Sequence, residues 1–193
     1  MKRQPARVLE QADLCRVLRH LQTTRTPVRD QVIVLLSFKA GLRACEIAGL
    51  DWGMVLKSTG HISDALTVSR HIAKKGSGRV IPMQPKLKAM LRLLHKEAGR
   101  PVFGPIIRSQ RGGHMTARGI VNWFREVYAL LGLTGCSSHS GRRTFITQSA
   151  RLLQRIGGSL RDIQELAGHR ALTTTERYIE GDRDAQRKLI RLL

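Results

Sequence analysis

The sequence predicts a mainly α-helical domain carrying one small antiparallel β-sheet, and three observations predict it. Apolar residues recur at helical spacing in most segments, as in Leu9, Leu14, Val17, Leu18 and Leu21 or in Ile120, Trp123, Phe124, Val127 and Leu130. One stretch, 55–83, loses that period and gains β-branched residues in ALTVSRHI and RVIPM. At 193 residues the chain suits one well-buried domain and is short for two. No internal repeat, low-complexity tract or linker divides it, so 1–193 is expected to form a single domain.

A first helix is expected over 9–21, and 23–27 reads as a turn. The segment 28–40 contains VIVLL and predicts a buried central helix, ended by Gly41 in the position that favours a left-handed residue. Arg43 then opens a short helix with Glu46 one turn on, the spacing at which a carboxylate holds a guanidinium. Within 55–83 the two strands flank AKKGSG, which reads as a tight hairpin with Lys74 and Lys75 at its mouth. An amphipathic helix follows over 85–99 with Leu87, Met90, Leu91 and Leu94 inward. The segment 104–114 is irregular, and Arg108 and Arg111 beside its Gly-Gly turn suit a loop lying against a polyanion. Thr116 caps the next helix, 117–131, whose apolar stripe is core.

Further on, 141–156 carries Phe145, Ile146, Leu152, Leu153 and Ile156 at helical spacing, with Arg142, Arg151 and Arg155 on or near another face. Gly157 and Gly158 stop that helix. Ser159 with Asp162 reads as a capping box opening a helix over 160–167, which Gly168 ends, exposing His169. Thr173 with Glu176 repeats the pattern, so Tyr178 is expected to ride on a short helix of its own. A last helix is expected over 182–193, where Ala185, Leu189, Ile190, Leu192 and Leu193 are apolar.

Charge is the strongest bulk signal. The chain has 34 basic and 14 acidic residues, a net +20, with a pI of about 11.4. Such an excess on a folded domain implies a polyanionic partner, because each neutralised phosphate releases condensed counterions. Aromatic residues make up only 4%, too few for the stacking platforms that hold single strands, so duplex DNA is the expected partner. There is no apolar run of membrane-spanning length, and the start MKRQPARVLEQADL lacks the apolar core of a signal peptide. A cytoplasmic location is expected, with no membrane partner. Cys15, Cys45 and Cys136 are isolated, without a C-x-x-C pair, and are expected to be reduced and structural. The seven histidines offer no pair two residues apart and the acidic residues no visible cluster, so neither metal nor cofactor is expected.

The chemistry concentrates between His139 and Tyr178, where two arginines and two histidines precede a tyrosine. Breaking a phosphodiester requires positive charge on the phosphoryl oxygens, an activated nucleophile and a proton for the leaving group, and a phenol, with a pKa of about 10, needs help to ionise. Four blocks carry a resemblance: GLRACEIAGL around Arg43, KKGSGRVIPM around Lys74, HSGRRTF around His139 and Arg142, and LAGHRALTTTERY around His169 and Tyr178. In order and in the step from His169 to Tyr178 they resemble the tyrosine recombinase, or phage integrase, family, over roughly 10–180.

That resemblance implies the family's catalytic-domain fold alone, without the N-terminal DNA-binding domain that closes a clamp in many members. It implies site-specific recombination or integration of duplex DNA through a covalent 3′-phosphotyrosine, without metal, cofactor or ATP. Arg43 and Arg142 would clamp the nonbridging oxygens, Tyr178 attack, His139 accept its proton and His169 bind a phosphoryl oxygen. Lys74, with Lys75 as the second choice, would protonate the departing 5′ oxygen. Lys75, Arg108, Arg111 and Arg143 remain for DNA backbone contacts. Four protomers on two DNA sites are implied, with 182–193 docking on a neighbouring protomer or folding back onto its own domain. Arg143 stands where many relatives have histidine, and Gly141 replaces a bulky apolar residue, which is expected to loosen the packing there. The alternative is a non-catalytic DNA-binding regulator that keeps the fold, which has no use for a tyrosine at that spacing.

Overall fold

The computed structural model describes residues 4–73, 76–178 and 190–191. Lys74, Lys75 and nearly all of the helix expected over 182–193 lie outside the described residues. The architecture is helical around one buried helix. In chain order come α1 (Gln11–Leu21), α2 (Pro27–Lys39), α3 (Ala44–Ala48), a 3-10 turn at Trp52–Met54, β1 (Ala65–Val68), β2 (Arg79–Pro82) and α4 (Pro85–Glu97). α5 (Ala117–Leu130), α6 (Ser140–Ile156), α7 (Leu160–Ala167) and α8 (Leu172–Glu176) complete the described part.

The centre is α2. Val32, Ile33, Val34, Leu35, Leu36 and Phe38 are all buried, so the helix is apolar around most of its girth and packs on α1, α3, α4 and α6. Pro27 starts it where a missing N–H costs nothing, and Gly41 turns the chain out of it at φ 63°. That turn delivers Arg43 to the N-cap of α3.

The sheet has two strands, antiparallel, with Ala65 opposite Pro82 and Val68 opposite Arg79. Its hairpin is not the tight one expected. Pairing stops at Val68 because the amides of Ile72 and Ala73 bond back to the Ser69 carbonyl, turning the chain through residues expected to be strand. Leu66, Val68 and Ile81 point inward, and Val80 points out.

Two expected stripes shift. In α5 the core face is Ile120, Phe124, Val127 and Tyr128, while Leu130, the last residue of the helix, is 74% exposed. In α6 only Ile146 and Leu153 are fully covered; Leu152 and Ile156 are exposed on the last two turns. Arg142, expected on the basic face, is buried, whereas Arg151 and Arg155 are in solvent.

The buried apolar residues fall into two clusters. The larger runs from Leu9 to Leu133 around α2. The smaller consists of Ile146, Leu153, Ile163 and Ala167, with Phe145, Ala150, Leu160 and Tyr178 packed against it.

Candidate active site

Three loops, one strand and the first turn of α6 bring the polar residues together. The turn after α2 supplies Arg43. Its Nη1 donates to Glu46 Oε1 at 2.9 Å and its backbone N–H to Glu46 Oε2 at 2.8 Å, so the spacing-based pairing of these residues holds. Glu46 is wholly buried. It is also held by a residue that sequence reasoning missed. Arg79, on β2, donates from Nη1 and Nη2 to the two Glu46 oxygens, each at 2.9 Å, and from Nε to the Leu166 carbonyl at 2.8 Å. Burial alone would raise the Glu46 pKa, but the hydrogen bonds and charge of Arg79, with those of Arg43, outweigh it and hold the carboxyl below its ordinary value. No local signal marks Arg79, since its partners lie 33 and 87 positions away.

Arg142 enters from the first turn of α6. It is 3% exposed, and its Nη1 and Nη2 donate at 2.6 Å to the carbonyls of Gly41 and Ala167. These partners fix the guanidinium without neutralising it. Burial and the charge of Arg43 lower its pKa to about 10, so it stays protonated at neutral pH. Gly41 is required at its position twice over, by its positive φ and because a Cβ there would lie 2.5 Å from the Phe145 ring.

His169 follows α7. It is only 8% exposed, not exposed as expected, because the left-handed turn at Gly168 folds the chain back over the site. Its amide donates to the Gln164 carbonyl, and its Nδ1 lies 2.9 Å from Thr175 Oγ1. Burial first, then the positive charges of Arg142, Arg43 and Arg79, lower its pKa to about 4. The imidazole is therefore neutral at physiological pH.

Tyr178 comes two residues after α8, not on it. The expected Thr173 cap is not used: Ala171 occupies the N-cap and Thr173 lies inside the helix. The tyrosine ring stacks on His169 with centroids 5.5 Å apart and an interplanar angle of 22°. Arg143 Cζ stands 5.9 Å from the centroid of the same ring. The Tyr178 amide donates to the Thr175 carbonyl at 3.0 Å, and its carbonyl accepts from Thr147 Oγ1 at 3.3 Å.

His139 is exposed at the N-cap of α6, one turn before Arg142. Arg108 and Arg111 are exposed on a loop closed by pairing between Arg108 and His114, whose Nδ1 lies 2.9 Å from the Ala48 carbonyl. Gly141, expected to loosen the packing, does the opposite: a Cβ there would lie 2.3 Å from Ser37 Oγ and 2.7 Å from Phe38, so α6 and α2 touch at this point. Among the described residues no group of three His, Cys, Asp or Glu side chains is placed to hold a metal. Cys15, Cys45 and Cys136 are free thiols, the first two exposed and Cys136 half-buried.

Chemically, three guanidinium groups surround one carboxylate and a neutral imidazole. Two positive charges are left over in a partly dehydrated pocket, which favours an anion and, more strongly, one that gains charge as it reacts.

Similar proteins have been found on both sequence and structure. The tyrosine recombinase XerC of Nitrobacter winogradskyi is 35% identical over 156 residues, 78% of this chain and 45% of its own length. XerC of Brucella suis is 36% identical over 158 residues, with coverage of 78% and 45%. The chain thus spans about half the length of the curated relatives it matches. The integrase of transposon Tn1549, solved in complex with a circular intermediate DNA, superposes with a TM-score of 0.73 at 18% identity, over 100% of this chain and 67% of that one. XerA recombinase superposes with a TM-score of 0.72 at 20% identity, over 100% and 66%. These likenesses show the tyrosine recombinase catalytic-domain fold. The sequence model described as phage integrase family matches residues 7–184, and the chain belongs to that family.

Proposed function

We propose that this chain is the catalytic domain of a site-specific recombinase that cuts and rejoins duplex DNA through a covalent 3′-phosphotyrosine. The observation that carries the reading is the stacking of Tyr178 on a buried His169 beside an arginine cluster with two uncompensated positive charges. Arg43 and Arg142 hold the nonbridging oxygens of the scissile phosphate, and His169 donates to one of them. The Tyr178 oxygen attacks phosphorus while its proton passes to His139. The P–O5′ bond breaks, and Lys74, or Lys75 in its place, gives the leaving 5′ oxygen a proton. Attack by a 5′ hydroxyl reverses these steps and rejoins the strand, so the bond energy is conserved and ATP is not consumed.

Duplex DNA is the partner that best explains a net charge of +20, and the similar Tn1549 integrase was solved on DNA. Arg108, Arg111, Arg143 and Lys75 contact the backbone in this reading. Exchange between two duplexes requires four cuts, so four protomers act together on two sites, in the cytoplasm where the chromosome lies. The segment 182–193 is the part of the chain proposed to link them.

The test uses a pool of nicked duplexes with randomised cores, on which cleavage releases a short strand and traps the protein. The full chain should acquire DNA that survives denaturing electrophoresis. Tyr178→Phe should lose this adduct completely while duplex binding, driven by charge, stays within about twofold. Tight binding with no adduct from the unaltered chain would favour a non-catalytic DNA-binding regulator, and an adduct that persists in Tyr178→Phe would move the nucleophile elsewhere.

A further inference from the structure

The buried hydroxyl of Thr175 is not accounted for by the chemistry above. Thr175 is 0% exposed, and its Oγ1 lies 2.9 Å from Nδ1 of His169. The backbone of His169 is held separately, since its amide donates to the Gln164 carbonyl and its carbonyl accepts from Gln164 Nε2 at 3.1 Å. Gln164 fixes where the histidine sits, while Thr175 bonds the ring.

This contact has two forms. Either the hydroxyl donates to a bare Nδ1, which puts the imidazole proton on Nε2, or Nδ1–H donates to Oγ1 and Nε2 is bare. The two differ in what the ring offers a phosphate. A bare Nε2 presents a lone pair to oxygen lone pairs and repels them. A protonated Nε2 presents a donor and, because the ring is neutral, adds no charge to the repulsion among Arg43, Arg79 and Arg142. A hydroxyl can fill either role, so only the first form makes the threonine and the histidine jointly useful to an anion.

We infer that Thr175 is a positioning residue that donates to Nδ1 of His169 and so holds the ring in the Nε2-protonated tautomer that donates to the phosphoryl oxygen. The inference rests on the proposed cleavage reaction. A second link follows from the same residue, because the Thr175 carbonyl accepts the Tyr178 amide at 3.0 Å. One residue of α8 thus sets the proton on the histidine and the start of the turn that carries the tyrosine, so that ring and nucleophile are set in register by a single side chain and its own backbone.

The tautomer is read directly by long-range nitrogen–proton correlation NMR on the full chain labelled with 15N, with His169→Gln identifying the signals. The unaltered protein and Thr175→Ser should show His169 with Nδ1 bare and Nε2 protonated. Thr175→Val, which keeps the shape and removes the hydroxyl, should show mixed tautomers and form the covalent adduct about tenfold more slowly, the loss expected for one hydrogen bond on the reaction path. A purely structural threonine would lower the melting temperature without moving the tautomer. A proton on Nδ1 in the unaltered protein overturns the inference, and that measurement decides it even if Thr175→Val fails to fold. So does a Thr175→Val protein that cleaves at the full rate. An unaltered protein that forms no adduct instead overturns the proposed reaction, and with it this role for Thr175.

Discussion

Arg79 donates from all three of its guanidinium nitrogens to the protein, two of them to a carboxylate with no exposure to water. Among the described residues, Arg43 is tied to Glu46 by one guanidinium bond, from Nη1, and by its backbone N–H. Replacing Arg79 by Met leaves the buried Glu46 with Arg43 as its remaining ion-pair partner. We expect a loss of on the order of 3–5 kcal/mol in denaturant melts, partly recovered when Glu46→Gln is added, because the second change removes the buried charge. Equal stability of the single and double variants would show that the carboxylate never depended on Arg79. His169 gives the pH dependence. Its folded pKa of about 4 lies below the value of about 6.5 for a free imidazole, so the unfolded chain binds more protons between those limits. Stability conferred at this site is complete above pH about 6.5 and is lost as the pH falls toward 4. Urea midpoints measured across that window should fall more steeply for the unaltered protein than for His169→Gln. The pairing of Arg43 with Glu46 was legible from a three-residue spacing. Arg79 was not, because a strand residue that bonds across the fold leaves no periodic trace in the sequence.

Helices α2 and α6 meet at Gly141, where the Ser37 and Phe38 side chains of α2 leave no room for a Cβ. Gly141→Ala should destabilise by about 1–2 kcal/mol although alanine is the better helix former, since displacing Ser37 and Phe38 costs more than the propensity gained. A higher melting temperature would mean that the two helices slide apart freely. The same change should disturb Arg142, the next residue, and lower adduct formation with it. At this scale legibility depended on whether the signal was local. Ser159 and Asp162 form the capping box that their spacing predicts. Thr173 and Glu176 have the same spacing and do not, because the helix already begins at Leu172. Leu152 and Ile156 match the helical period and yet face solvent, since periodicity shows which residues share a face and not how far the neighbouring element extends.

For the molecule as a whole, the helical class and the small sheet follow from periodicity and β-branching, which are written into short windows. The basic excess announced a polyanion without showing where it sits. Convergence of Arg43, Arg142, His169 and Tyr178 was legible only through the resemblance of four motif blocks, as no residue pattern encodes a contact between segments 100 positions apart, such as that of Arg142 with Gly41. The described residues contain two apolar clusters of very different size, and Tyr178 belongs to the smaller. Clusters so unequal need not melt together. Amides of α7 and α8 should therefore exchange with deuterium well before those of α2, a difference that mass spectrometry of peptic fragments would register. Uniform protection across both would mean one cooperative unit. If the smaller cluster opens first, the tyrosine leaves its seat for a fraction of the free energy of global unfolding, and the elements that carry Arg43 and Arg79, which belong to the larger cluster, stay folded as it does so.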